Sequence, residues 1–161
     1  MKILAMDLSL SCPAFAVLSV NKHGIVDVEH LSHLKTNTKK GHGYRLFQIY
    51  KHMRNILKEH EDIDELVRER GFSRFPSVTQ ALFKVVGISD LCAVNNGFDT
   101  VHEVTPTTVK KVVTGRGKAP KEDVATAVST YISTNINFKT DDESDAVAVG
   151  VTYLKQKKAL V

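Results

Sequence analysis

Lys2-Ile3-Leu4-Ala5-Met6-Asp7-Leu8 is apolar at every position between its first residue and Asp7. A short run apolar on both faces predicts a central strand, and this one delivers a carboxylate at its C-terminal end. Outward from it, residues 14–20 (Ala-Phe-Ala-Val-Leu-Ser-Val) predict a second strand, and Asn21-Lys22-His23-Gly24 is turn chemistry. Residues 25–31 return as a third strand, so the chain opens as an antiparallel meander. Leu46, Ile49, Tyr50, Met53, Ile56 and Leu57 recur at helical spacing and predict an amphipathic helix over residues 44–60. A fourth strand follows at residues 63–69, then a polar turn to Pro76, an apolar-rich helix at 78–94 and a fifth strand at 101–104. Thr105 before Pro106 reads as an N-cap with a first-turn proline, and Gly115 ends that helix. A loop over 116–120 leads to a helix at 121–133. Thr140-Asp141-Asp142-Glu143 has the spacing of a capping box and opens a last helix to about residue 157. The order β-β-β-α-β-α-β-α-α-α predicts one α/β domain over residues 1–161, a five-stranded mixed sheet with helices on both faces.

The bulk properties narrow the classes. A chain of 161 residues with 42% hydrophobic and 25% charged side chains fits one globular domain with its own core. No uninterrupted apolar run approaches the ~18 residues of a membrane helix, and Asp7 comes too early for a signal peptide. The expectation is a cytosolic protein. Cys12 and Cys92 are the only cysteines, too few for a disulfide framework or a zinc site, and are expected reduced and structural. The net charge of +4 identifies no partner alone. The basic residues, however, gather in clusters: Lys35, Lys39 and Lys40; Arg68, Arg70 and Arg74; Lys110, Lys111, Arg116, Lys118 and Lys121; and Lys155, Lys157 and Lys158. Clusters alternating with buried-looking acids fit an enzyme acting on a polyanion.

The acids carry the chemistry. An ionised Asp7 on an apolar strand is costly unless paired, although it could simply cap the turn at Leu8-Ser9. Glu69 ends the fourth strand and would emerge beside Asp7 if the two strands are parallel neighbours. Glu65 shares its face by the two-residue period and is the rival. Asp142 and Asp145, spaced i and i+3, share one helical face. Asp142 could merely favour the helix dipole. Asp145 is followed by Ala146-Val147-Ala148-Val149, so it is expected to point inward, where an acid needs a cation. All-oxygen ligation suits Mg²⁺ or Mn²⁺. Two such ions can activate water and stabilise a leaving oxygen in phosphodiester hydrolysis, without a serine or cysteine nucleophile. The seven histidines show no zinc-ligand spacing, and His30 with His33 reads as incidental. Lys118 and Lys121 sit at a helix start, where the dipole disfavours cations, which points to an anion nearby. A flexible basic loop is the plainer alternative.

Taken in order and spacing, Asp7 at the first strand end, Val-Arg-Glu-Arg-Gly-Phe at the fourth, Val-Lys-Lys-Val-Val-Thr-Gly, Ala-Pro-Lys-Glu-Asp-Val and Asp-Glu-Ser-Asp-Ala-Val-Ala-Val resemble the RuvC-type Holliday junction resolvases of the ribonuclease H-like superfamily. The resemblance covers almost the whole chain. It implies catalytic and metal-binding acids at Asp7, Glu69, Asp142 and Asp145, selecting Glu69 over Glu65. It also implies catalytic-site lysines at Lys110 and Lys121 and a junction-stacking aromatic at Phe72. A homodimer acting on a four-way DNA junction, with two Mg²⁺ per site (Mn²⁺ able to substitute), is the implied assembly. Further phosphate contacts are expected at Arg68, Arg70, Arg74, Lys111, Arg116 and Lys118, and Phe75 is expected as a core anchor. Leu8-Ser9-Leu10-Ser11-Cys12-Pro13 departs from the Pro-Gly that follows the first Asp in bacterial members. It looks closer to phage-encoded relatives, for which the location would be the host cytoplasm, and phosphate contacts from Arg68, Arg70 and Arg74 would extend the range to other branched DNA. Three rivals remain: a small-molecule kinase or ATPase, for which the chain is too short, an RNA-processing nuclease of the same fold, and a DNA-binding module without catalysis.

Overall fold

The computed structural model describes residues 1–71 and 73–160. Strands β1 (Lys2–Asp7), β2 (Ala14–Val20), β3 (Val26–His33), β4 (Glu65–Glu69) and β5 (Val101–Val104) form one sheet in the order β3-β2-β1-β4-β5. The first three pair antiparallel, whereas β4 runs parallel to β1 and β5 parallel to β4. Helices α1 (His42–Glu59), α2 (Pro76–Asn95), α3 (Pro106–Thr114), α4 (Lys121–Val128) and α5 (Asp141–Gln156) follow in the order the sequence predicts.

Strand alternation builds two cores. Leu4 and Met6 of β1 enter one with Phe15, Ile49, Met53 and Val85, beneath α1 and α2. Ile3 and Ala5 enter the other with Val67, Val109, Val124 and the buried run of α5, beneath α3, α4 and α5. β1 is therefore covered on both faces, as its composition requires. Gly150 sets how closely α5 sits on the sheet. A Cβ there would lie 2.3 Å from Leu18 Cδ1 and 2.9 Å from the Cβ of Ala5, closer than packed atoms tolerate.

Some boundaries differ from expectation. α4 stops at Val128 rather than continuing to 133, because the following residues pair with the sheet edge. Val26 N–H donates to Tyr131 O, Ser133 N–H donates to Val26 O, and Ile132 bridges β3 in parallel. Ser129 Oγ also turns back to bond Ala125 O, a local alternative to further helix. β4 begins at Glu65, since Ile63 N–H is used in a turn to His60 O. Phe75 is not a core anchor: it is the N-cap residue of α2 and 68% exposed.

α2 is longer and more apolar overall than its interrupted sequence suggests. By length and composition it could cross a membrane, although Ser77, Thr79, Gln80 and Lys84 interrupt the apolar sequence. Val85, Ser89, Cys92 and Ala93 face inward, while Phe83, Leu91 and Val94 stand exposed along its outer side.

Candidate active site

The parallel register of β1 and β4 matches Met6 with Arg68, so the next residues, Asp7 and Glu69, leave neighbouring strands at one edge of the sheet. Side-chain alternation sends both to the face covered by α5. There Asp142, Ala146 and Gly150 form a row at helical i, i+4 spacing. The close seat of Gly150 on Ala5 thus brings the start of α5 over the end of β1. One cleft of about 780 Å³ is lined by Asp7, Glu69, Asp142 and Asp145 together with Lys110 and Lys121. Glu65 is elsewhere: it pairs with Ile3 at the start of β1, accepts 2.7 Å from Tyr153 Oη, and lies 3.2 Å from Lys157 Nζ. Those partners belong to the far end of α5, and they hold Glu65 below the usual glutamate range despite its burial.

The cleft is short of cations for its acids. Burial pushes Asp7 well above the ordinary carboxylate range, with Glu69, Asp145 and Asp142 adding repulsion and Lys121 opposing it. Glu69 rises to about 7 through burial and the charge of Asp145, against Lys121 and Lys110. Asp145 is raised by burial too, although Lys121 Nζ lies 3.4 Å from its Oδ2 and counters the rise. Burial lowers Lys121, but Asp145, Asp7 and Asp142 outweigh it and the net shift is upward. Such a set of acids is stable when charged only if further positive charge enters.

The start of α5 is fixed by three bonds to residues outside the helix. Thr140 Oγ1 accepts from Glu143 N–H, the N-cap that the spacing predicts. The Glu143 carboxylate, buried to 3% exposure, accepts 2.8 Å from Lys139 N–H and meets His33 Nδ1 at 2.8 Å. His33 is therefore not incidental. Only its partner carried a sequence signal, as the acid of the capping box.

The donor set fits hard divalent ions, being four carboxylates with no nitrogen or sulfur ligand among them. Among the described residues, no three of these acids bring oxygens all within 4.8 Å of one another.

Residues 3–153 match the family model for crossover junction endodeoxyribonuclease RuvC. The chain belongs to the RuvC family. The RuvC of Ehrlichia canis is 31% identical over 160 residues, covering 98% of both chains. That of Caldanaerobacter subterraneus subsp. tengcongensis is 26% identical over 160 residues, 99% of this chain and 96% of its own. RuvC from T. thermophilus, solved in complex with a Holliday junction substrate, superposes with a TM-score of 0.87 at 20% identity, covering 99% of this chain and 98% of its own. The yeast mitochondrial Holliday junction resolvase gives a TM-score of 0.69 at 15% identity, over 98% of this chain and 79% of its own.

Within this RuvC fold the expected phosphate contacts separate. Arg68 is not available as one. It alternates to the face opposite Glu69, is 6% exposed, and donates to Ser89 Oγ at 3.0 Å, Asp90 Oδ1 at 2.5 Å and Glu103 Oε2 at 3.1 Å. Arg70 and Arg74 are exposed beside cleft residues Gly71 and Ser73. Lys111, Arg116 and Lys118 are exposed but outside the cleft lining, and Arg116 is ion-paired with Asp123. Phe72 lies outside the described residues.

Two cleft residues escaped the sequence reading. Arg45 and His42 line the mouth from the first turn of α1, which contains no acid. A cation at a helix start was the signal that singled out Lys118 and Lys121, and it applied equally to Arg45.

Proposed function

We propose that this chain is a divalent-metal-dependent endonuclease that cleaves four-way DNA junctions, and related branched DNA, by phosphodiester hydrolysis in the cytoplasm. The observation that carries the reading is the convergence of Asp7, Glu69, Asp142 and Asp145 with Lys110 and Lys121 in one cleft. Asp7, Glu69, Asp142 and Asp145 would hold two Mg²⁺, with Mn²⁺ able to substitute. When bound, the ions supply water activation and charge stabilisation at the phosphate.

The protein's own groups bind and orient the strand. Lys121 is the first residue of α4, where the helix dipole and its ammonium both favour a phosphate oxygen. Lys110 extends the same positive edge towards Glu69. Arg70, Arg74 and Arg45 flank the mouth and suit backbone contacts away from the reacting bond. Phe72, between Arg70 and Arg74 in sequence, is the proposed platform for an unstacked junction base.

The partner for symmetrical cleavage is a second copy. Phe83, Gly87, Leu91 and Val94 share one side of α2, and Phe83, Leu91 and Val94 are 61%, 52% and 58% exposed. An apolar helix stripe suits a two-fold helix-to-helix contact, in which the same patch meets itself.

The deciding assay offers purified protein with Mg²⁺ a synthetic four-way junction, a flap, a linear duplex and an RNA–DNA hybrid. Junction and flap should be cut and the linear duplex spared. Preference for the hybrid would favour an RNA-processing nuclease, and binding without cleavage of any substrate would leave a DNA-binding module.

A further inference from the structure

A second group of metal-type ligands lies away from the carboxylate cleft. It begins with an irregularity in β3: His30 pairs with Val17 but Val28 pairs with Leu18, leaving Glu29 as the extra residue of a bulge. Bulges re-aim the side chains beside them. His30 and Ser32 then face α1, where Ser32 Oγ meets His30 Nε2 at 2.8 Å and His52 Nε2 at 2.9 Å. Glu59 is the last residue of α1, and His60 is its C-cap. The rings of His30 and His60 stand edge to face with centroids 5.8 Å apart. One ligand atom each from His30, Glu59 and His60 lie within 4.8 Å of one another, which among the described residues no other three histidines, cysteines or acids achieve.

Two independent features suit a cation there. The C-terminal end of α1 presents its last carbonyl groups, a partial negative charge added to that of Glu59. Ser32 Oγ engages His30 Nε2 and holds the ring, as outer hydrogen-bond partners orient histidines at metal sites.

We propose that His30, Glu59 and His60 form a second metal site for a borderline transition ion, Zn²⁺ foremost, with solvent completing the coordination. Two imidazoles and a carboxylate are a zinc-type ligand set, whereas the all-oxygen cleft suits Mg²⁺, so ligand chemistry sorts the two ions. Ligand atoms around a tetrahedral zinc lie roughly 3.4 Å apart, given bonds of about 2.1 Å. Small side-chain rotations would therefore close the site. Arg45 at the cleft mouth and Glu59 are separated by roughly 20 Å along α1, at 1.5 Å per residue. A bound ion would clip the end of α1 to β3, the edge strand of the sheet.

Co²⁺ is the spectroscopic probe, titrated into full-length protein carrying Asp7→Asn and Asp145→Asn so that the cleft is disabled. One equivalent should produce the intense visible absorption of low-coordinate cobalt, Zn²⁺ should abolish it by displacement, and Zn²⁺ should raise Tm by several degrees. Adding Glu59→Gln or His60→Gln should weaken Co²⁺ binding at least tenfold, while circular dichroism shows an intact fold. These two positions decide the matter, because His30 is half-buried and its replacement could disturb folding. In the otherwise wild-type protein, Glu59→Gln should leave Mg²⁺-dependent cleavage unchanged. Absence of saturable Co²⁺ absorption, or equal affinity in the His60→Gln protein, would overturn the proposal without touching the nuclease reading.

Discussion

His33 Nδ1, at the end of β3, lies 2.8 Å from Oε1 of Glu143, so the edge strand grips the first turn of the helix that carries Asp142 and Asp145. His33→Ala would leave a buried carboxylate with one partner fewer. The cost is about 1–3 kcal/mol, or a fall in Tm of roughly 2–10 °C for a chain this size. Cleavage should slow more than junction binding weakens. Unchanged Tm and rate would mean that the Thr140 cap alone sets this turn.

The acids should separate by position. Single amide replacements at Asp7, Glu69, Asp142 or Asp145 are expected to reduce cleavage at least a hundredfold and keep or tighten junction binding, because less negative charge then faces the phosphates. Glu65→Gln should cut at close to the normal rate. An active Asp145→Asn protein would contradict the cleft assignment.

Metal and pH are coupled at Glu69. Its folded pKa of about 7 exceeds its ordinary value of 4.5, so between those values the folded state binds more protons than the unfolded one. Stability contributed by the protonated group is full below about 4.5 and is lost as pH rises through about 7. After screening, the penalty is on the order of 2 kcal/mol, which would lower Tm by roughly 4–8 °C. Metal-free protein should therefore melt lower at pH 8 than at pH 5.5, with Mg²⁺ restoring Tm mainly at pH 8. In Glu69→Gln the pH dependence should shrink. Equal Mg²⁺ stabilisation at both pH values would argue against carboxylate ligation here.

Lys121 should matter to rate more than to affinity, since several other cations share the binding. Each phosphate contact contributes about 0.9 to the salt slope on duplex DNA, so Lys121→Ala should change that slope by about one at most. Single-turnover cleavage at saturating junction should fall at least tenfold. A normal rate would remove Lys121 from the site.

Two neighbouring arginines should behave oppositely. Arg68→Ala removes the buried partner of the more exposed Glu103 and Asp90 and is expected to destabilise by about 1–3 kcal/mol. Arg70→Ala should leave Tm unchanged and weaken junction binding, with a shallower salt dependence.

Sequence patterns reached the fold because β1 needs cover on both faces and the following strands carry clear punctuation. They singled out four acids that the fold brings to one cleft because carboxylates at strand ends and on an apolar helix are conspicuous. They could not separate Arg68 from Arg70, since residues two apart share a face by alternation, and only the end of β4 at Glu69 and the partners Ser89, Asp90 and Glu103 tell them apart. The end of α4 was hidden because helical spacing said nothing of the bonds from Tyr131 and Ser133 to Val26. The pairing of His33 with Glu143 spans 110 positions, and no local pattern reports that.

Gly150 has a bearing on how this scaffold can diverge. The separation of the acid-bearing helix from the catalytic strand is set by a missing carbon against Leu18 and Ala5, and not by the lengths of the segments leading into α5. Residues 115–118 and 134–137 can therefore change length or charge, reshaping what the protein grips, while the carboxylates keep their mutual positions. Recognition can drift quickly on such a frame, and chemistry cannot. Even Gly150→Ala would lever α5 off the sheet and blunt cleavage from a position that no DNA strand need touch.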